Sequence, residues 1–470
     1  MGSKAFIGGF NGHPKVRGAS GFFPRLVHLL ILGGVLFTVG GCAVFEHPQE
    51  LRPASQPATG ARKLVVFFDG TAQALDTGTN VAELFKDARR QVGGANSQNL
   101  HLMYIDGVGA SGKAIGMVTS WGIGYRVRAA YQFLTERHRA GDEIFLIGFS
   151  RGAYSVRILA SMLHNVGLPV TKGSQPEGLR MEEVERIYDA FKCSTWAINR
   201  ACVEYDRSTA VKNMLLELGI QMRMERVKFM GLWDTVEALG WPDYGENVDL
   251  PNARYGDQLC NVDRAVHGVA LDDNRARIFT PILLTRKHLT ATCDRDKPPA
   301  EVEEAWFAGS HTDVGGGYED GIGKLSGVSL NWMVDHASRA GLEFFRGEER
   351  PSQDHLAVVH DPEVKFPWWM LYRRQYRDID RYASSPESVA KEIKFHACLI
   401  DRIETTHRVS PEYGNPEERA QVVLRRGPDG TSGTFLTCFP EGTNGKRTFK
   451  SGGQCPIILV GDCRKAPSTN

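Results

Sequence analysis

Gly148-Phe149-Ser150-Arg151-Gly152 is the stretch of this 470-residue chain whose residue types and spacing point most directly to chemistry. It lies between an apolar run (144–147) and helical spacing at Val156, Leu159 and Leu163. A G-x-S-x-G segment in that position is a strand turning sharply into a helix, which lifts the serine hydroxyl above the sheet. Glycines flank the serine because the crowded turn leaves no room for side chains. A serine that only caps a helix needs no glycine on both sides. Ser150 also stands at a helix N-terminus, whose dipole favours a developing oxyanion. The segment therefore predicts Ser150 as a nucleophile.

Serine is weakly nucleophilic at its own pKa, so it needs a base, and the base needs an orienting carboxylate. On a sheet with this elbow the chain order is Ser, acid, His. Among 14 histidines, His311 follows the apolar run 305–308 directly, in Gly309-Ser310-His311-Thr312-Asp313-Val314-Gly315-Gly316-Gly317. Those glycines imply a loop near the C-terminal edge of a strand, where the active sites of open α/β sheets lie. His164 and His267 read as packed core residues. The acid candidate is Asp234, in Gly231-Leu232-Trp233-Asp234-Thr235-Val236 at the end of another apolar run; the alternative is a buried aspartate capping the next turn. Asp313 is the rival acid but follows His311. An oxyanion needs two backbone N–H donors, the first from Arg151 and the second from Gly70 or Thr71. The last two belong to Asp69-Gly70-Thr71, a segment that otherwise reads as a plain turn.

The elements needed to position these groups are visible. Residues 63–68, 101–105, 143–148, 227–232, 279–284 and 305–308 read as strands, and 122–139, 150–166 and 326–340 as helices. Such alternation predicts a mostly parallel sheet with helices on both faces. Residues 170–225 are helical and charged, interrupt the alternation, and form a lid-like insertion. Beyond residue 345 the pattern changes to a helix at 388–403 and short β-like runs at 421–424 and 457–460, so 346–470 is expected to be a smaller appended α+β region. Apolar residues at 42% exclude disorder for the bulk of the chain, and a net charge of +1 without a basic stripe argues against nucleic acid as a partner.

Residues 1–41 carry Lys4, Lys15, Arg17 and Arg25 and no acidic residue, then an apolar run at 26–41 that stops at Cys42. These are the parts of a secretory signal, and the run is short for a membrane span. Val39-Gly40-Gly41-Cys42 resembles a bacterial lipobox, which implies lipidation at Cys42 and a lipid-anchored envelope protein; an uncleaved anchor helix is the alternative. Ala43 resembles the residue found in lipoproteins sorted to the outer membrane, facing the periplasm. Residues 42–62 read as a solvated tether. With Cys42 set aside, eight of the nine cysteines remain in a chain expected to meet an oxidising compartment. Their connectivity is not readable from sequence, and two local pairs stand out, Cys193 with Cys202 and Cys455 with Cys463.

Taken together, Asp69-Gly70-Thr71, GFSRGAYSVR at the elbow, GLWDTV and WFAGSHTDVGGGY resemble one bacterial hydrolase family. It comprises uncharacterised α/β-hydrolase domain proteins and the type VI secretion lipase effectors with phospholipase A activity. The resemblance covers residues 63–345. It implies an α/β-hydrolase-like fold, Ser150 as nucleophile, Asp234 as acid, His311 as base, and esterase or phospholipase activity with no metal or other cofactor. An effector is delivered by a secretion machine and should not carry its own lipoprotein signal, so an antibacterial role and a phospholipid substrate do not transfer with the chemistry.

Other features are less specific. The glycines of 107–112 lack the G-K-[ST] ending of a phosphate-binding loop. Asp69, Asp234, His311 and Asp313 could converge on a divalent cation, which would make the chain a metal-dependent phosphodiesterase. Phe366-Pro367-Trp368-Trp369-Met370 reads as a core anchor or, alternatively, an aromatic patch reaching lipid. The expectation is a membrane-anchored serine hydrolase acting on lipid or small ester substrates. A catalytically inactive envelope-binding lipoprotein is the alternative from a different class; oligomeric state is not legible.

Overall fold

The computed structural model describes residues 48–51, 61–92, 99–108, 122–170, 178–193, 202, 204–237, 253–275, 279–294, 296–298, 300–318, 325–346, 348–357 and 359–360. Further along it describes 377, 379, 382, 385–389, 392–405, 438–440, 448–453 and 455–463. The lipobox with Cys42, the aromatic segment 366–370 and the run 421–424 lie outside the described residues. Among those described, no helix is long and apolar enough to cross a membrane.

Eleven strands occur among the described residues: Gln49–Leu51 (β1), Lys63–Phe68 (β2), Leu100–Ile105 (β3), Glu143–Phe149 (β4), Leu168–Pro169 (β5), Met222–Arg223 (β6), Val227–Trp233 (β7), Val262–Ala270 (β8), Glu301–Phe307 (β9), Ile393–His396 (β10) and Ile457–Val460 (β11). Nine form one sheet in the order β1-β3-β2-β4-β7-β8-β9-β10-β11, parallel throughout except for β1. The chain leaves β2 for β3 on one side, then crosses back to β4 on the other. The C-terminal ends of β2 and β4 thus flank the topological switch point, the place where open α/β sheets take their ligands.

Both faces of the sheet are covered. Leu64, Val66 and Phe68 join one core cluster while Val65 and Phe67 join the other, so β2 is an unbroken apolar run. Helix Asn80–Gln91 (α1), capped by the Thr79 hydroxyl, lies on the second face. Ile123–Arg137 (α2) and Arg151–Asn165 (α3) cover the first. Met181–Phe191 (α4) and Arg207–Leu218 (α5) come from the insertion, the five-residue helix His311–Gly315 (α6) follows β9, and Leu325–Arg339 (α7) packs beside α1. Ala397–Thr405 (α8) follows β10. This is the α/β-hydrolase-like arrangement that the motifs imply.

Several expectations are corrected. In the described part of 170–225, α4 carries Val184, Ile187, Tyr188 and Phe191 on one stripe, all buried in the core that α2 and α3 share, whereas α5 buries Val211 alone. Residues 279–284 form no strand, because Pro281 cannot donate to a ladder and makes only a bridge with Val236. The strand actually present, β8, has its apolar run interrupted by Asp263, Arg264 and His267. Residues 388–403 are not one helix; pairing with β9 and β11 makes 393–396 a strand, and the helix begins at Ala397. β10 and β11 extend the main sheet, so these described strands beyond residue 345 belong to it rather than to an appendage. Within the expected tether, Gln49–Leu51 pairs with β3, and Arg62 pairs with Asp142 at 2.5 Å.

The eight cysteines outside the lipobox form four disulfides: Cys193–Cys202, Cys260–Cys293, Cys398–Cys463 and Cys438–Cys455. The first matches the sequence expectation. Cys455 and Cys463 do not pair with each other, because β11 lies between them and carries Cys463 to the start of α8. Peptide mapping without reduction should recover these four links. Removing Cys260–Cys293, which spans 33 residues, should lower stability by about 3–4 kcal/mol in a denaturant titration. Free thiols at these positions, or an unchanged midpoint, would contradict the pairing.

Candidate active site

The strand β4 ends in the elbow. Ser150 has φ 59° and ψ −127°, a backbone conformation rare for a residue with a side chain. Two contacts explain the flanking glycines. A Cβ on Gly148 would meet Ala153 N at 2.8 Å, and one on Gly152 would meet the Phe68 carbonyl oxygen at 2.3 Å. The turn is tied to the end of β7: Ser150 N–H donates to the Trp233 carbonyl at 2.9 Å, and Val236 N–H donates to the Ser150 carbonyl at 3.5 Å. Those main-chain bonds bring Asp234, two residues before Val236, next to the elbow.

Ser150 Oγ lies 2.7 Å from His311 Nε2, and His311 Nδ1 lies 2.5 Å from Asp234 Oδ2. With Nδ1 protonated and donating to the carboxylate, Nε2 is left to accept the serine proton. The imidazole is buried and flanked by the Phe149 and Phe279 rings, with centroids at 4.6 and 4.9 Å. Its position at the start of α6 is fixed by its own N–H donating to Asp273 Oδ2 at 3.1 Å. Burial pushes the His311 pKa below the usual value, against the opposing pull of Asp234. For Asp234, burial favours the protonated form, but Arg377 and then His311 outweigh it and hold the carboxyl well below the carboxylate range. Asp273, ion-paired with Arg275 at 2.7 Å, falls to about 2, because that pair overcomes its burial.

The alternatives named from sequence go elsewhere. Asp313, in the first turn of α6, completes its capping box: its Oδ2 accepts from Ser310 N–H at 2.9 Å, and its Oδ1 meets His360 Nδ1 at 2.6 Å. His267 is fully buried; its Nδ1 meets Glu304 Oε2 at 2.9 Å, and its Nε2 accepts from Thr235 N–H at 3.0 Å, steadying the residue after Asp234. His164 sits in the last turn of α3, at the far end of the helix from Ser150. After β2, the buried Asp69 accepts from Gly70 N–H at 2.7 Å, Thr79 Oγ1 at 2.7 Å and Tyr104 Oη at 2.6 Å; burial raises it to about 6. Gly70 N–H is thus engaged with the Asp69 carboxylate. The Thr71 hydroxyl accepts from Arg151 Nε, joining the loop to the elbow.

Asp234 and His311 are thus paired with each other, while Asp69 and Asp313 are each held by other partners. Among the described residues, the His, Cys, Asp or Glu group close enough to hold a metal is His355, Cys398 and Cys463, and its two sulfurs are bonded to each other.

With this geometry in place, comparison with known proteins decides the family. A model of the type VI secretion system phospholipase effector Tle1-like catalytic domain matches residues 62–336, more than half of the chain. The chain belongs to this family. A curated relative, an uncharacterised protein of Saccharomyces cerevisiae, is 23% identical over 258 residues, which cover 50% of this chain and 35% of that protein. Among solved structures, an uncharacterised protein from Pseudomonas aeruginosa is similar at 18% identity and TM-score 0.32, over 66% of this chain and 48% of that one. Esterase 2 of Thermogutta terrifontis is similar at 13% identity and TM-score 0.32, over 63% and 89%. The chain thus spans about a third of the yeast relative and about half of the Pseudomonas protein.

Arg377 is the site residue that sequence reading misses. Its Nη1 donates to Asp234 Oδ1 at 2.6 Å and its Nη2 to Asp234 Oδ2 at 2.9 Å, and both side chains are fully buried. Nothing in its neighbourhood, Arg373-Arg374-Gln375-Tyr376-Arg377, separates a buried arginine from a solvated one.

The direction of the His311 shift fixes a pH dependence. A base must be neutral to take a proton, and burial holds this imidazole below its usual value, so the acid limb of kcat/KM should be centred below 6.5. A pH–rate profile with the acid limb centred above 6.5 would contradict this environment for the imidazole.

Proposed function

We propose that this family member is a serine hydrolase of carboxylic esters, lipids among them, working through Ser150, His311 and Asp234. The observation that carries this reading is the continuous hydrogen-bonded line from Ser150 Oγ through His311 to Asp234, set on a strained elbow at the switch point of the sheet. Ser150 Oγ attacks the ester carbonyl carbon while His311 Nε2 takes its proton. Arg151 N–H and Thr71 N–H hold the oxyanion. The tetrahedral adduct expels the alcohol, which leaves with the proton from His311, and an acyl-Ser150 ester remains. Water, deprotonated by the same imidazole, then releases the acid and restores the serine. Asp234 stays ionised throughout and stabilises the transient imidazolium.

The proposed setting is the bacterial envelope, with Cys42 lipidated and the domain facing the periplasm. Four disulfides support an oxidising compartment for the folded domain. Family membership supports an ester or lipid as substrate.

The test is hydrolysis of short-chain p-nitrophenyl esters and of phospholipid vesicles by wild type and Ser150→Ala. The variant should fold with an unchanged circular dichroism spectrum and lose about a thousandfold or more in kcat. A folded Ser150→Ala with wild-type turnover would overturn the mechanism.

A further inference from the structure

The family match ends at residue 336, yet the carboxylate facing His311 is gripped by a side chain forty-one positions later. We infer that Arg377 is a positioning residue of the hydrolytic site, its guanidinium fixing the orientation and the charge of Asp234 so that His311 can act as a base. The inference rests on the proposed function and goes beyond it, because it makes activity depend on the chain beyond the matched segment.

The geometry is specific to a planar fork. Nη1 and Nη2 meet Oδ1 and Oδ2 in a two-point pairing that a point charge cannot reproduce. The same two nitrogens also donate to the Ala270 carbonyl at the end of β8 (2.5 Å) and to the Phe279 carbonyl (2.6 Å). The guanidinium therefore bridges β8, the segment that places the Phe279 ring against His311, and the carboxylate itself. Asp234 Oδ1 accepts in addition from Ala270 N–H at 2.9 Å, so its rotation is blocked from two sides. Asp273, Arg275 and Ser150 face the Asp234–His311 dyad, and Asp273 and Tyr382 also act on the Arg377 charge.

Arg377 has two separable effects. As a fork it aims Oδ2 at Nδ1, and misplacing a catalytic group by an ångström costs on the order of 100-fold. As a positive charge it opposes addition of a proton anywhere on the Asp234–His311 dyad, whichever group receives it. Removing the charge must therefore move the acid limb of the rate profile to higher pH, whereas a role confined to packing would leave the limb in place.

The experiment compares full-length wild type, Arg377→Lys and Arg377→Met on a soluble short-chain ester, with kcat, KM and pH–rate profiles and with folding checked by thermal melting. Arg377→Met should lower kcat about 10- to 100-fold at little change in KM and shift the acid limb upward. Arg377→Lys should keep the limb near its wild-type position while still losing kcat, because it retains the charge and loses the fork. A folded Arg377→Met with wild-type kcat and an unmoved limb would overturn the inference. Should Arg377→Met fail to fold, Arg377→Gln, which removes the charge but keeps a polar side chain, decides: an acid limb moved to higher pH supports the role, and an unmoved limb overturns it. Active wild type with unimpaired Arg377 variants refutes this role alone, whereas wild type inert toward every ester tested refutes it together with the hydrolase reading.

Discussion

The structure is organised around one ionised carboxylate with no exposed surface. Asp234 is fully buried, and an unpaired carboxylate there would take up a proton. Its charge survives because Arg377 pairs with both oxygens, Ala270 N–H donates to one, and His311 Nδ1 donates to the other. Those partners come from different places in the chain: the end of β8, the helix after β9 and the region beyond the family match. Removing a partner from a buried ion pair typically costs about 3–5 kcal/mol, because the remaining charge stays behind uncompensated. The pairing therefore also ties a residue beyond the family match to the ends of β7 and β8.

Against this fixed point, the elbow adds strain. Ser150 is held at positive φ by a glycine on either side and by main-chain bonds to the end of β7, the strand that also delivers Asp234. Conformations of this kind cost about 1–3 kcal/mol and persist where the surroundings over-determine them. The order of the strands does the rest. With β2 between β3 and β4, the Asp69–Thr71 loop and the elbow emerge side by side, and the Arg151 side chain links them through the Thr71 hydroxyl.

How much of this could be read beforehand follows from which information is local. The elbow announces itself because its glycines, its strand and its helix are adjacent in sequence. β2, β4 and β7 are apolar runs, and α3 and α7 keep helical spacing over 15 residues each. His311 was legible as a histidine between a strand and a glycine-rich loop. The contact of Gly70 N–H with the Asp69 carboxylate is a matter of geometry that the residue types alone leave open. What sequence reading missed depends on pairing at long range. β8 contains Asp263, Arg264 and a histidine, and becomes a central strand because β7 and β9 flank it. Residues 393–396 give up helical spacing for a place beside β9. Arg377 lies 143 positions from the carboxylate it holds, and no local pattern encodes that meeting.

The central claim, that His311 makes the Ser150 hydroxyl reactive, is tested most directly by treating the protein with a fluorophosphonate and locating the adduct by peptide mass spectrometry. The account predicts rapid, stoichiometric addition at Ser150 in wild type and a strong slowing in folded His311→Ala. An adduct on another residue, or labelling of Ser150 at the same rate without the imidazole, would contradict it.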